Sequence, residues 1–364
     1  MNIMKQFLAA LCLLVGGSVH AASYPGQVIR WGLDPDRQYL TDPLYYNSTG
    51  NVAIAGQRLS NAVAIAASRL HGLALKDDGT VAGWGFNAYG QVLGSPFPAT
   101  APLVNTSGPV TIDGKILRDV AAIAAGDNLS MALRHDGSVF GWGENKVPVG
   151  LSNIVAIAAG GMTCLALKQD GSVVGWENVP RTESYGQLFG VEGLSNVVAI
   201  AAGSMPGGGS PRTRNIALKK DGMVFTWVHQ SINQEPPPPA GLSNVIAVAA
   251  GISHSLALTR DGTVTGWGYN NEGQAIGTPT PSEPHMTNGL VRINGQILSN
   301  VVAVAAYYNF SMALKADGTV VGWGKSYRGT PVGLTGVTAI AAGESFCLAI
   351  TTNRVVADRF QQPK

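Results

Sequence analysis

Charge is scarce in this chain. Lys and Arg number 24 and Asp and Glu 22, so charged residues make up only 13% of the 364, about half of the ~25% usual for soluble domains. The formal net charge is +2, with no basic run or stripe, so the electrostatic footprint of a nucleic-acid binder is missing. Aromatic residues make up 7%, and there are three cysteines and six histidines, without the spacing of a metal-ligand set. No GxSxG elbow, HExxH helix or phosphate-binding glycine loop occurs. Asp34-Pro-Asp36 is only a fragment of a calcium loop, lacking its glycine and closing glutamate. These absences point to a chain without cofactor or metal, and without a recognisable catalytic motif.

Glycine is what the chain has in quantity, 47 residues, and its placement is periodic. A unit typified by 241–268, GLSNVIAVAAGISHSLALTRDGTVTGWG, recurs along the sequence, and repetition has to be read before any local feature. The first-strand motif appears at 62–67, 120–125, 154–159, 197–202, 245–250, 301–306 and 337–342. Six Asp-Gly pairs, starting at Asp78, Asp136, Asp170, Asp221, Asp261 and Asp317, predict two-residue hairpin loops with positive φ. A third strand then ends in Trp84, Trp142, Trp176, Trp227, Trp267 and Trp323.

The seventh copy has Asn353-Arg354 in place of Asp-Gly and lacks the tryptophan. The missing strand lies at the other end of the chain, where 26–32 ends in Trp31-Gly32 with no first or second strand before it. Seven first strands and one displaced third strand predict an all-β fold, a seven-bladed β-propeller. Its ring is closed by the Trp31 strand joining the last repeat, which protects edges an open array would expose. The tryptophans are expected to pack between blades. Ser95–Gly114 and Gly277–Gly295 contain strand-like pieces at Pro109–Ile112 and Leu290–Ile293, expected to add an outer fourth strand to some blades. Pro236–Pro239 is expected to be a stiff connector.

Residues 1–21 have the pattern of a secretory signal peptide: Lys5, the apolar FLAALCLLVGG, and the small-x-small site Val19-His20-Ala21. That apolar run is too short for a membrane span, so the expectation is an exported propeller over 22–364, periplasmic or secreted and monomeric. Cys164 and Cys347 fall at one repeat position, filled elsewhere by Gly72, Ser130, Asn215, Ser255 and Ser311. They belong to repeats on roughly opposite sides of a seven-fold ring, beyond the ~7 Å reach of a disulfide, and are expected to be unpaired and buried.

Topology sorts the loops. The connection between the first and second strands and the one after Trp-Gly emerge on one face; the Asp-Gly turns and Gly-Leu-Ser-Asn links form the other. The second face is nearly uniform, so binding is assigned to the first. Its candidate partner-binding residues are Arg69, Phe86, Tyr89, Met162, Arg212, Arg214, Tyr269, Tyr307, Tyr308, Tyr327 and Arg328, types that protein interfaces enrich.

The repeated unit LSNVVAIAAG…LALK.DGTVVGWG, with Tyr89-Gly90-Gln91 and Tyr185-Gly186-Gln187 after two of the third strands, resembles the regulator of chromosome condensation repeat family across nearly the whole chain. The short copies and the closing N-terminal strand look most like its bacterial secreted branch, which includes a propeller-type β-lactamase inhibitor. That resemblance implies a non-catalytic module binding a protein partner through one face, as an inhibitor of an exported enzyme. Only Tyr307, Tyr308, Phe310 and Phe346 match the inhibitors' aromatic loop positions, so the fold carries over further than the target does. The alternative is a carbohydrate-binding or glycan-acting propeller, suggested by Tyr and Asn on the same loops.

Overall fold

The computed structural model describes residues 15–16, 25–32, 50–94, 105–144, 146–177, 191–203, 214–228, 236–282, 287–325, 329–344 and 346–352. All regular structure in them is β. The fold is a β-propeller of seven antiparallel sheets. Blade one consists of Ala62–Ala67, His71–Lys76 and Val81–Phe86, with Asn105–Pro109 outermost. Blade seven runs from Val337–Ala342 through Phe346–Thr351 to Gln27–Gly32, and Gly50–Asn51 forms its outer edge. The N-terminal strand is thus the third strand of the last blade, with Trp31 opposite Cys347. Each inner strand packs on the next around the ring, and that of blade seven packs on that of blade one.

Seven seams replace a single core. Each apolar cluster joins two neighbouring blades and contains one tryptophan, contributed by the later blade: Trp84, Trp142, Trp176, Trp227, Trp267, Trp323 and Trp31. The inner strands explain why. In Ala62–Ala67, Ala62, Ile65 and Ala67 face blade seven's cluster, while Ala64 and Ala66 face blade two's. A strand packed on both faces and crowded near an axis needs small side chains, and alanine supplies them. The bulky indole sits further out, where the blades diverge.

The Asp-Gly turns differ from expectation. Only their glycines have positive φ, for example Gly79 at 74° and Gly262 at 80°. Gly79 N bonds to Lys76 O and Lys76 N to Thr80 O, the pattern of a type I turn followed by a left-handed glycine. The aspartate serves as an acceptor: Asp78 Oδ1 takes hydrogen bonds from Thr80 N at 3.0 Å and Thr80 Oγ1 at 2.6 Å. These bonds to the ionised form hold its carboxyl down at about 2. The same turn also links blades, since Gly79, Gly171 and Gly262 O accept from the first amide of the following inner strand, in Val120, Val197 and Val301.

True two-residue loops lie elsewhere, in three copies of an outer module. Residues 52–61, 110–119 and 291–300 read VAIAGQRLSN, VTIDGKILRD and VRINGQILSN. Each forms a tiny hairpin with positive φ at both turn residues: Ala55-Gly56, Asp113-Gly114 and Asn294-Gly295. Ahead of each lies an outer fourth strand, Gly50–Asn51, Asn105–Pro109 or Thr287–Leu290. The fourth strands expected at Pro109–Ile112 and Leu290–Ile293 therefore exist, placed slightly earlier. Their expected stretches contribute to these hairpins instead.

Most of 1–21 lies outside the described residues. Val15–Gly16 pairs parallel with the inner strand of blade four, opposite Ile200 and Ala201. No helix among the described residues is long and apolar enough to cross a membrane. Cys164 and Cys347 are buried and form no disulfide among the described residues, and burial pushes the Cys347 thiol well above its ordinary pKa.

Candidate functional site at the loop face

The two sets of loops on the variable face are bound to each other. The residue two after the tryptophan donates its amide to the loop between strands one and two of its own blade: Phe86 to Leu70, Glu144 to Asn128, Tyr269 to Ser253 and Lys325 to Asn309. Neighbouring blades are joined in the same way near the axis. Asp127 N bonds to Gly161 O, Ile252 N to Tyr308 O, and Glu344 N to Ser68 O. The result is a collar of loops around the axial opening, mounted on rigid strands.

At this opening the structure brings together residues far apart in sequence. Tyr307 Oη donates to Asp127 Oδ1 at 3.0 Å, tying blade six to blade two. Arg69 Nε donates to Glu344 Oε2 at 3.0 Å, tying blade one to blade seven. Burial raises the Glu344 carboxyl and Asp127 adds to the rise, while Arg69 opposes it. Tyr308 holds a left-handed backbone at φ 47°, costly for a bulky residue, and its ring packs against the apolar seam of blades six and seven.

The predicted binding residues divide into three groups. Tyr89 is 45% exposed, and Arg69, Met162, Tyr269 and Tyr308 are half-buried on the loop face. Three others are corrected by burial: Phe86 (7% exposed), Tyr307 (5%) and Arg214 (1%). Phe86 ends a strand and meets Tyr89 edge to face at 6.4 Å. Tyr307 spends its hydroxyl on Asp127. Arg214 opens the second strand of blade four and reaches Ser255 Oγ of the next blade at 2.9 Å, with burial pulling its guanidinium down to about 9. Arg212, Tyr327 and Arg328 lie outside the described residues.

Two asparagines on the loops of this face, Asn87 and Asn270, are structural. In Asn87-Ala-Tyr-Gly-Gln91, Asn87 Oδ1 accepts from Val92 N at 2.7 Å and Gln91 Oε1 from Tyr89 N at 3.0 Å. Asn270-Asn-Glu-Gly-Gln274 repeats this with Ala275 and Glu272, at 2.9 Å each. The Asn-x-x-Gly-Gln spacing was the signal available in sequence; it marks a self-bonded turn.

The polar pair Asp127 and Glu344 is the nearest approach to a catalytic arrangement. Each carboxylate already accepts from a fixed donor. Among the described residues no three His, Cys, Asp or Glu side chains group as metal ligands.

The sequence pattern of the regulator of chromosome condensation (RCC1) repeat matches residues 62–91, 120–147, 245–274 and 301–330, that is, blades one, two, five and six. Among curated proteins, similarity is found to Protein pim1 of Schizosaccharomyces pombe, 24% identical over 289 residues, covering 73% of this chain and 47% of that protein. The guanine nucleotide exchange factor SRM1 of Saccharomyces cerevisiae is 25% identical over 301 residues, covering 72% and 56%. The chain thus spans about half the length of these relatives. Among solved structures, Prp20p of Saccharomyces cerevisiae superposes with a TM-score of 0.67 at 18% identity, covering 99% of this chain and 97% of that one. Yeast RCC1 (Prp20) in its crystal structure bound to Kap60 gives 0.66 at 19%, covering 93% and 92%. At these identities the likeness establishes the RCC1-type propeller fold.

Proposed function

We propose that this RCC1-repeat propeller is a non-catalytic binding module that engages a protein partner through the loop face around its axial opening. The contrast between its two faces supports this reading. The underside presents near-identical Asp-Gly turns, three of which bond to the next blade through Gly79, Gly171 and Gly262. The loop face presents Tyr89, Tyr269, Tyr308, Met162 and Arg69 on hydrogen-bonded loops, so little conformational freedom remains to be lost on binding. Relatives support protein binding in general, since the Prp20 structures are described with Kap60 and with binding to Gsp1p and histones. The leader pattern at 1–21 is the ground for seeking the partner outside the cytoplasm, with an exported enzyme, β-lactamases included, as the class to test first.

The test is affinity capture from periplasmic and secreted fractions with the purified chain 22–364, alongside direct binding to purified β-lactamases. Tyr89→Ala, Tyr269→Ala and Tyr308→Ala are expected to weaken a stoichiometric complex at least tenfold, about 1.4 kcal/mol, with the melting temperature little changed for the first two. Lys115→Ala on the underside should leave binding intact. Full binding by all three tyrosine variants, with loss in the underside variant, would reverse the face assignment.

A further inference from the structure

The seam between blades seven and one differs from two of its counterparts in a way that points to a small-ligand site. At the seam of blades one and two, Gln91 O accepts from both Ser130 Oγ and Trp142 Nε1, each at 2.8 Å. At the seam of blades five and six, Gln274 O does the same for Ser311 Oγ at 2.8 Å and Trp323 Nε1 at 3.0 Å. At the seam of blades seven and one, the serine position is Gly72, and Trp84 Nε1, like those of Trp31, Trp227 and Trp267, is buried without a hydrogen-bond partner among the described residues. Trp84 itself is 2% exposed. Close by, Asn51 keeps both Nδ2 and Oδ1 buried and without partners. A buried polar group that nothing satisfies is destabilising, so each of these atoms favours an occupant that can bond to it.

Both residues line a cavity of about 360 Å³ at the outer edge of the seam, together with Arg30, Thr106 and Ser107. Its walls are the third and outer strands of two four-stranded blades, so the groups are held by paired backbone. Trp84 Nε1 calls for an acceptor, and Asn51 calls for a donor and an acceptor side by side. A hydroxyl supplies both, and vicinal hydroxyls supply them in series. Thr106 and Ser107 can exchange hydrogen bonds with hydroxyls in either direction, and Arg30 adds donors. The volume lies at the small end of ligand pockets.

We propose that this rim cavity binds a monosaccharide, separately from the loop face. Ordered water is the competing occupant, since a polar cavity of this size also accommodates it. The test is titration of the purified chain 22–364 with galactose, mannose, N-acetylglucosamine and glucuronate, followed by calorimetry and tryptophan fluorescence. One of these sugars is expected to bind at one site per chain with millimolar or tighter affinity. Asn51→Ala should weaken it about tenfold or more, and Ser107→Ala, at an exposed position that should not disturb folding, should weaken it severalfold. Trp84→Phe, which removes the indole N–H, should also weaken it, while Tyr89→Ala should bind as the parent does. Absence of binding by all four sugars would mean that the cavity holds water only. Binding unaffected by Asn51→Ala and Ser107→Ala would place the sugar elsewhere. Either result overturns the proposal and leaves the protein-binding reading of the loop face untouched.

Discussion

The seam of blades one and two and the seam of blades six and seven solve one packing problem with opposite chemistry. In the first, His71 Nε2 meets Ser130 Oγ at 2.8 Å, and the hydroxyl donates its own hydrogen bond to Gln91 O. His71 therefore donates from Nε2, and its Nδ1 lies 2.7 Å from Ser68 Oγ. In the second, Phe310 and Cys347 occupy the same two positions within one apolar cluster. Four of the remaining five seams follow suit; the seam of blades three and four departs, with Thr163 and Asn215 at these positions. His254 meets Ser311 at 2.8 Å and Arg214 meets Ser255 at 2.9 Å, whereas Leu129 shares a cluster with Cys164. Outside the seam of blades three and four, a polar residue opening the second strand is answered by a hydroxyl in the next blade, and an apolar one by a thiol or a glycine. The cysteines therefore stand beside apolar neighbours, Leu129 and Phe310, in a serine-sized slot.

This rule can be broken most sharply at Gly72. Serine is the commonest residue at its position in the other blades, so Gly72→Ser appears conservative from sequence. A Cβ there would sit 2.4 Å from Trp84 Cζ2 and 2.5 Å from Trp84 Cε2, distances that force a rigid buried indole to move. Overpacking of this kind typically costs 1–3 kcal/mol, and about 3 kcal/mol is expected here, read as a shift in the urea midpoint. A neutral Gly72→Ser would show that the seams tolerate exchange of residues regardless of their neighbours.

Of comparable size for each histidine is the response to acid. Burial pulls His71 and His254 down to about 3, with Arg214 contributing at His254, against about 6.5 for an unfolded chain. The unfolded state takes up these protons first. Stability is therefore fully present above about pH 6.5 and is lost as the pH falls toward 3, by roughly 1.4 kcal/mol per pH unit for each histidine. Replacing one polar pair with the pair found at the next seam, His71→Leu with Ser130→Cys, should remove about half of this slope. The measurement is stability by denaturant titration at intervals from pH 7 to pH 4. An unchanged slope would mean that other groups dominate the acid response.

Single exchanges should fall below this. Ser130→Cys leaves the His71 Nε2 hydrogen without its acceptor, and Cys164→Ser puts a hydroxyl against Leu129. Each is expected to cost about 1–3 kcal/mol at neutral pH, and the matched double variant His71→Leu/Ser130→Cys should recover part of the first loss. A double-mutant cycle measures the coupling, and additive effects would argue against the pairing rule.

The blades, the ring closure through Trp31 and the tryptophan seams were legible because each rests on a residue type recurring at one spacing. The face holding the variable loops followed from strand direction alone. What stayed hidden depends on contact across the ring. Tyr307 reads as an interface aromatic until Asp127, on a blade remote in sequence, is seen to accept its hydroxyl. Arg214 reads as a loop cation until its strand is placed against Ser255. The outer modules were visible as three similar decapeptides, yet their tiny hairpins emerge only from paired positive φ values, which no spacing of apolar residues announces.

Those modules separate the seams once more. They precede blades one, two and six, and only before blade one does the hairpin begin with alanine. Ala55 has φ 49°, where Asp113 (51°) and Asn294 (52°) stand in the sister hairpins. A left-handed backbone costs an ordinary L-residue about 1–2 kcal/mol, and Asn or Asp relieves part of that through local hydrogen bonding. Nothing lies within 4 Å of a Cβ added at the adjoining Gly56, so the turn is open and a longer side chain at its first position meets little resistance. Ala55→Asn is therefore expected to stabilise the chain by about 0.5–1 kcal/mol, seen as a small rise in melting temperature. Asn294→Ala should lower it by a similar amount. If the two substitutions moved stability in the same direction, the hairpins would not be equivalent, and the likeness of their decapeptides would be one of sequence alone.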